Sequence, residues 1–343
     1  INKTMRRPLL TFTGAMLLVM PLWAQFDFMN YRTIDGRNNN LTFTEWGAAH
    51  TRMPRMVGAF YSDGVSSPAG LSRPNPREIS NALFAQPGVL SEPLHLSDFT
   101  WVFGQFLDHD FGLTPDTNEP LMINVPTGDV HFDPFGTGKV VIPMARNVFD
   151  PATGSGPGNP REHLNVITSF IDGSNVYGSD DERANWLRSF QGGKLKVSKG
   201  NMMPYNTVNN EYDGEVDPTA PAMANPVGRS KKLYVAGDER ANENPLLSSV
   251  HTLFVREHNR LCDELAKAHP DWTDEQLYQQ ARKINSGIIQ SIVYNEWLPA
   301  LRIQRPPYEG YKPAADPSAM NEFTGAAFRL GHTLLNGTLR RIM

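Results

Sequence analysis

Apolar residues recur at intervals of three and four along several stretches of this chain, which is the spacing of one face of an α-helix. These stretches are residues 77–84, 97–110, 182–190, 245–265, 273–292 and 323–334. One clear short strand is expected at residues 140–144. Long segments rich in Gly, Pro, Asn and Asp separate these elements and are typical of turns and loops. The pattern predicts a mainly α fold, a multi-helix core with long irregular loops and very little β-structure.

Three of the predicted helices have recognisable start signals. Ser97 is a candidate N-cap for the helix at 97–110. Asn244 is a second candidate N-cap, because a proline at the first helical position follows it. Thr273 and Gln276 have the spacing of a capping box. These signals support the helix boundaries that the apolar pattern predicts.

The helix at 97–110 places chemically useful side chains on one face. Gln105, Asp108 and His109 stand at i, i+3 and i+4, whereas Asp110 points about 100° away from His109. One short helix can therefore aim an amide, a carboxylate and an imidazole into a pocket. It can also offer a second carboxylate to a group behind it. Taken alone, the stretch is better explained as a helix end that carries an ordinary hydrogen-bonded histidine, and only residues further along the chain favour a functional site.

The segment 168–178 is rich in oxygen ligands. Thr168, Asp172 and Ser174 offer side-chain oxygens next to backbone carbonyls, and Ca²⁺ takes about six to eight oxygens. The spacing is not that of an EF-hand. An ordinary turn leading into the next helix is the alternative. A calcium site becomes the better interpretation if this loop meets Asp110, since the site would then contain two carboxylates.

Two further pairs of side chains carry candidate chemistry. Arg240 and Glu243, three residues apart just before the helix at 245–265, would direct a cation and a carboxylate the same way. Arg329 and His332 stand at i and i+3 in a helical stretch and are therefore neighbours on its surface. Such a pair suits a haem, with the imidazole on iron and the guanidinium on a propionate.

Composition and charge narrow the class of protein. The 343 residues are 40% hydrophobic and 20% charged, which indicates one or two globular domains. The net charge is −4, and residues 1–24 contain three basic residues and no acidic one, so the chain without them would be still more negative. This balance argues against nucleic acid or an anionic membrane surface as partner. The single cysteine, Cys262, excludes an intrachain disulfide.

The first residues have the pattern of an export signal. A basic start at Arg6 and Arg7 precedes an apolar stretch that is too short to span a membrane comfortably, and small Ala24 follows. We therefore expect residues 1–24 to be a signal peptide and the protein to be secreted, extracellular or periplasmic. Residues 25–95 are expected to form an N-terminal arm wrapped on the core, and residues 96–343 the catalytic domain.

Together these motifs resemble the animal-type haem peroxidases of the peroxidase–cyclooxygenase superfamily, in particular bacterial secreted members, from about Tyr31 to the C-terminus. The resemblance implies that His109 is the distal histidine, Arg240 the distal arginine and Gln105 the residue that helps to place halide and water. It implies that His332 is the proximal histidine, which ligates the iron of haem b. It also implies that Asp108 and Glu243 are the carboxylates available for ester links to the haem, and that Arg329 contacts a propionate. It also implies a calcium site formed by Asp110, Thr168, the Phe170 carbonyl, Asp172 and Ser174.

The resemblance further implies an activity. The expected function is reduction of H₂O₂ through a ferryl intermediate, with oxidation of halide, pseudohalide or small phenolic donors. Asn244 stands where some members carry a methionine bonded to the haem, so that bond is not expected here. Eleven residues follow His332, whereas family members continue further. We therefore expect the catalytic domain to be incomplete at the C-terminus, without the asparagine that supports the proximal histidine.

Two other functions remain open. A fatty-acid dioxygenase of the same fold needs a tyrosine three residues before the proximal histidine, and Arg329 occupies that position. A non-catalytic secreted binding or adhesion module could keep the fold without the chemistry. The complete set of Gln105, His109 and Arg240 argues against such a loss of function.

Overall fold

A computed structural model of the chain describes residues 31–335, apart from residues 87, 89, 226, 227 and 229 and the side chains of residues 71 and 72. The predicted signal peptide lies outside the described residues. The described α-helices are α1 (Pro76–Phe84), α2 (Phe99–Phe111), α3 (Ser174–Tyr177), α4 (Asp181–Leu187), α5 (Pro245–Ala268), α6 (Asp274–Ile292), α7 (Leu298–Ala300) and α8 (Asn321–Gly325). A π-helical turn (Val293–Trp297) continues α6, and 3₁₀-helices occupy Ala69–Ser72 and Ala327–Leu334.

The strands are short, and a long stretch of chain separates the two members of each pair. They are β1 (Thr51–Arg52), β2 (Asp116–Pro120), β3 (Ile123–Asn124), β4 (Val141–Ile142), β5 (Ala145–Asn147) and β6 (Leu164–Asn165). They form the antiparallel pairs β1–β6, β2–β5 and β3–β4, with Thr51 opposite Asn165 and Ile123 opposite Ile142. The mainly α prediction is confirmed. The strand expected at residues 140–144 is present as β4, but the other five strands were not predicted, because strands of two to five residues are too short to show an alternating pattern.

The core lies where α2, α5 and α6 meet. Phe106 of α2 stacks on Phe254 of α5 with ring centroids 5.0 Å apart. Asn285 of α6 donates to the Phe254 carbonyl and to the Tyr177 hydroxyl of α3. The apolar stripes of these helices are therefore buried against one another. The buried core residues include Trp101, Val102, Phe106, Val176, Tyr177, Leu247, Val250, Phe254, Tyr278 and Ile289.

The helix starts agree with the sequence in two cases and differ in one. The Asn244 side chain accepts from the Leu247 amide at 2.8 Å, and Thr273 forms the predicted capping box with Gln276. The predicted Ser97 cap was wrong, because α2 begins at Phe99 and no side chain caps it. Asp98, before Phe99, already has helical backbone angles (φ −55°, ψ −27°), whereas a capping residue is typically extended.

The predicted helix at 323–334 is interrupted. Ala326 has φ −136° and ψ −64°, and it separates α8 from the 3₁₀-helix Ala327–Leu334. Residues three apart still align in a 3₁₀-helix, which has three residues per turn. Arg329 and His332 therefore remain neighbours, although the helix type differs from the prediction.

The N-terminal part packs on the later chain. From Arg32 onward the described residues belong to one compact unit. The Asn40 amide donates to the Pro313 carbonyl at 2.8 Å, and the Gly47 amide donates to the Ser318 hydroxyl at 3.0 Å. The division between arm and catalytic domain at residue 95 stays a prediction.

Close backbone packing holds the loop before α5 against α3. A Cβ on Gly237 would overlap the Ser174 carbonyl oxygen and the Tyr177 and Gly178 amides. The next residue, Asp238, donates its amide to the Asn175 carbonyl at 3.1 Å. Only glycine allows the loop to approach α3 this closely.

We expect Gly237→Ala to lower the free energy of unfolding by about 1–3 kcal/mol or more, because an added methyl must displace backbone. The matched control is Gly287→Ala in α6, where nothing lies within 4 Å of the new Cβ. That change should stabilise by about 0.5–1 kcal/mol, since glycine is unfavourable inside a helix. Urea titrations followed by circular dichroism measure both values. Equal effects of the two variants would contradict the packing argument.

Candidate active site

A cavity of about 530 Å³ lies between α2, the loop before α5, the π-helical turn and the 3₁₀-helix Ala327–Leu334. Its size is typical of a site for a small molecule or a cofactor. Its lining residues include Thr100, Trp101, Gly104, Gln105, Asp108, His109, Arg240, Glu243, Asn244, Trp297, Phe328, Arg329 and His332. Every residue for which the sequence predicts a catalytic or haem-binding role is in this lining.

His109 is buried within this lining. The residue is 3% exposed, and its Nδ1 lies 3.6 Å from Oδ1 of Asp238. Burial, reinforced by the Arg240 cation, holds the pKa of His109 well below its usual value, although Asp238 opposes this shift. The imidazole is therefore neutral near pH 7 and can accept a proton.

Arg240 is held by a carboxylate that sequence reasoning missed. Its Nε and Nη2 donate to Oδ1 and Oδ2 of Asp238 at 2.8 and 2.7 Å, and Nη2 also donates to the Gly112 carbonyl at 3.0 Å. Burial alone would raise the pKa of Asp238, but Arg240 and His109 bring it well below its usual range. The signal that could have revealed this residue is the Asp-x-Arg spacing in the turn before α5.

Asp108 shares the cavity with two arginines. Its Oδ2 accepts from Nη1 of Arg329 at 3.2 Å and lies 3.7 Å from Nη1 of Arg240. Its Oδ1 is buried and has no hydrogen-bond partner among the described residues. Burial raises the pKa of Asp108, while both arginines oppose the increase. Arg329 thus contacts Asp108 directly, a contact that the sequence did not predict.

A chain of hydrogen bonds connects α2 with the start of α5. Nε2 of Gln105 donates to Oε2 of Glu243 at 2.6 Å. Nδ2 of Asn244 donates to Oε1 of Gln105 at 2.9 Å. Both ends of the Gln105 amide are therefore held, and Asn244 both caps α5 and orients this amide.

His332 reaches the same cavity from a different segment of the chain. It belongs to the 3₁₀-helix Ala327–Leu334, is exposed, and lines the cavity together with Phe328 and Trp297. No hydrogen bond joins its ring to another of the described residues.

The predicted calcium residues also come together, behind α2. The Ser174 hydroxyl donates to the carbonyl oxygen of Asp110 at 2.7 Å, and the Gly173 amide donates to Oδ2 of Asp110 at 3.2 Å. The Thr168 hydroxyl donates to both carboxylate oxygens of Asp172, at 3.0 and 3.1 Å. The loop therefore meets Asp110, which is the condition under which the sequence favours calcium.

Most of the residues predicted to bind calcium are deeply buried. Asp110, Thr168, Asp172 and Ser174 are all at most 5% exposed. Burial and the repulsion by Asp172 raise the pKa of Asp110 well above its usual value, and burial raises that of Asp172 to about 6. The Phe170 ring lies 5.4 Å from the Arg32 guanidinium. No cluster of three or more His, Cys, Asp or Glu side chains suited to a metal occurs in the described part of the chain.

Comparison with known proteins agrees with this geometry. The family model described as animal haem peroxidase matches residues 31–343. The chain belongs to the animal haem peroxidase family. Human dual oxidase 1 is 35% identical over 331 residues, which are 94% of this chain and 21% of that relative. Human dual oxidase 2 is 38% identical over 308 residues, 88% of this chain and 20% of the relative. The chain thus spans about a fifth of these relatives.

Solved structures of other proteins show a similar fold. Peroxidase A of Dictyostelium discoideum superimposes with a TM-score of 0.78 at 32% identity, over 88% of this chain and 59% of that one. Fatty acid alpha-dioxygenase of Arabidopsis thaliana has a TM-score of 0.61 at 22% identity, over 79% of this chain and 37% of that one. The second likeness concerns the fold alone.

Among the described residues, no helix has both the length and the apolar character needed to cross a bilayer.

The two roles of Asn244 can be separated by mutation. We expect Asn244→Ala to lower the free energy of unfolding by about 1 kcal/mol, because α5 loses its cap. Asn244→Ser keeps a capping oxygen but cannot reach Gln105, so it should remain close to wild type in stability. Urea titration measures both. A loss of stability as large in the serine variant as in the alanine variant would show that the contact with Gln105, rather than the cap, carries the stabilisation.

Proposed function

We propose that this chain is a haem peroxidase that reduces H₂O₂ and oxidises halide, pseudohalide or small phenolic donors. One observation carries the proposal. A neutral buried imidazole, His109, and a mostly buried cation, Arg240, line the same cavity as His332, which comes from a different segment. The full-length dual oxidases and peroxidase A extend well beyond the part that this chain matches, so the proposal concerns the chemistry of this cavity.

The residues present fit a haem. The cavity volume of about 530 Å³ suits a cofactor, and Oδ1 of Asp108 is a buried oxygen without a hydrogen-bond partner in the described structure. We propose that His332 ligates the iron and that Arg329 meets a propionate. We propose Asp108 and Glu243 as the ester carboxylates. An ester at Glu243 would replace its hydrogen bond to Gln105. When bound, the haem supplies the oxidising equivalents.

The chain's own groups handle the proton and the charge. Neutral His109 can accept a proton from one oxygen of H₂O₂ and return it to the other oxygen, which leaves as water. Arg240 stabilises the negative charge that develops as the O–O bond breaks. Gln105 accepts a hydrogen bond from Nδ2 of Asn244 through Oε1, so its Nε2 is oriented to donate to water or a small anion.

We propose that Ca²⁺ binds behind α2, through Asp110, Thr168, the Phe170 carbonyl, Asp172 and Ser174. Two buried carboxylates that repel each other, with hydroxyl oxygens beside them, are a donor set suited to a hard cation. A cation there would hold Asp110, and hence the neighbouring His109, from behind. We also propose export of the protein on the basis of residues 1–24.

The same residues argue against two alternative functions. The fold likeness to plant fatty acid alpha-dioxygenases brings dioxygenase chemistry into consideration, but Arg329 stands where that chemistry needs a tyrosine. A binding module that has lost catalysis would not need His109, Arg240 and Gln105 to converge on one cavity. The peroxidase proposal accounts for all of these residues.

Addition of haem to the purified chain should produce a Soret band and peroxide-dependent oxidation of iodide or a phenol. His109→Ala should lower the rate constant with H₂O₂ by about 10²–10⁴-fold while haem stays bound, since it removes the general base. His332→Ala should change the Soret band itself, and added imidazole should restore it. Stopped-flow spectroscopy measures all three effects.

The matched control is His131→Ala, which removes an exposed histidine that does not line the cavity and should behave as wild type. If haem binds but His109→Ala reacts with peroxide as fast as wild type, the assignment of the base is wrong. A chain that binds no haem would instead favour the binding-module interpretation.

Saturating Ca²⁺ should stabilise the chain by about 2.7 kcal/mol at a concentration of about 100 Kd, because it binds the folded state. In EDTA, Asp172→Asn should be no less stable than wild type, since it removes repulsion with Asp110, but it should lose the response to Ca²⁺. Thermal unfolding of both proteins, with Ca²⁺ and with EDTA, measures the stability without calcium and the increase that calcium causes. Asp133→Asn, at a buried carboxylate bonded to its own loop, is the control and should keep the response. A calcium response in Asp172→Asn equal to that of wild type would exclude the site.

A further inference from the structure

We propose that Asp238 is a positioning residue for the peroxide reaction, one that fixes both the tautomer of His109 and the orientation of Arg240. The inference deepens the proposed peroxidase function and rests on it. The sequence motifs assign no role to this carboxylate. The role is inferred from its position beside both His109 and Arg240.

The main chain holds Asp238 in place. The residue is 2% exposed, and its amide donates to the Asn175 carbonyl of α3 at 3.1 Å. Gly237 before it has no room for a side chain. The Arg240 amide donates to Oδ1 of Asp238 at 2.9 Å. The carboxylate therefore has little freedom to move, and the groups around it must adapt to its position.

The position of Oδ1 determines which nitrogen of His109 carries the proton. Nδ1 of His109 is buried, lacks a hydrogen-bond partner among the described residues and lies 3.6 Å from Oδ1 of Asp238. A carboxylate oxygen attracts an N–H and repels a nitrogen lone pair. The proton of the neutral ring is therefore expected on Nδ1. Nε2 then carries the lone pair and can accept a proton from peroxide.

The same carboxylate determines which N–H groups of Arg240 face the cavity. The Nε and Nη2 of Arg240 are occupied by both oxygens of Asp238 in a bidentate pair. Nη1 is left, 3.7 Å from Oδ2 of Asp108. Without the pair, the guanidinium could rotate and its charge would no longer be fixed beside the reacting oxygens.

The Arg77–Asp129 pair is a second buried, bidentate ion pair, and it lies outside the cavity lining. Asp129 is 5% exposed, and Arg77 donates to its two oxygens through Nε and Nη2 at 2.6 and 3.0 Å. Neither residue lines the cavity. The Arg77–Asp129 pair therefore provides a matched control for the Arg240–Asp238 pair.

The first experiment needs no haem. The full chain is labelled with ¹⁵N-histidine, and the ring-nitrogen signals are recorded for wild type, Asp238→Asn and Asp129→Asn, with His109→Gln to assign the signal. We expect Nδ1–H in wild type and in Asp129→Asn, and loss of that preference in Asp238→Asn. A wild-type His109 ring protonated on Nε2 would overturn the proposal, whether or not any variant folds.

The second experiment uses the haem-loaded chain. Asp238→Asn should lower the rate constant with H₂O₂ by about 10²-fold or more, as expected when a general base presents the wrong nitrogen, with haem affinity unchanged. Asp129→Asn should keep the wild-type rate constant. A wild-type rate constant in Asp238→Asn would overturn the proposal. If the wild-type chain binds haem but consumes no peroxide, the proposed function fails, while the ring-nitrogen spectra still decide the role of Asp238.

Discussion

The site depends on one arginine that is nearly removed from water between two carboxylates. The Arg240 side chain is 14% exposed and pairs with the Asp238 side chain, which is 1% exposed, while Asp108 approaches it from α2. An ion pair buried to this degree gains stability only if most of its hydrogen-bonding capacity is satisfied. The bidentate contact and the Gly112 carbonyl meet that requirement. Because Gly112 follows the last residue of α2, the same bonds tie the helix that carries Gln105, Asp108 and His109 to the loop before α5.

This electrostatic arrangement explains why neighbouring groups differ in charge. His109 feels burial and the Arg240 cation, which act in the same direction, and it stays neutral. Asp238 feels burial and Arg240 in opposite directions, and the cation prevails. Asp108 is farther from Arg240, and there burial prevails. A difference of about an ångström in the distance to Arg240, 3.7 Å for Asp108 against 2.7 Å for Asp238, therefore accompanies opposite shifts in the pKa of two buried carboxyl groups.

Sequence reasoning succeeded where one element carries the information. Gln105, Asp108 and His109 lie on one helix, so their spacing alone predicts that they face one cavity. The cap at Asn244 and the capping box at Thr273 are equally local. Asp238 was missed because its contact with His109 joins residues 129 positions apart, and no local period encodes it. The break at Ala326 and the two-residue strands also depend on tertiary packing rather than on the local pattern.

Contacts with α3 connect the two faces of α2. His109 lines the cavity, while the adjacent Asp110 is held by Gly173 and Ser174. The Asn175 side chain donates to the Phe106 carbonyl of α2 at 2.6 Å, and the Asn175 carbonyl accepts from the Asp238 amide. The short helix α3 therefore contacts Asp110 on one side and Asp238 on the other. Because both carboxylates act on His109, through the backbone and through the ring nitrogen, a displacement of α3 would change the orientation of the histidine from two directions at once.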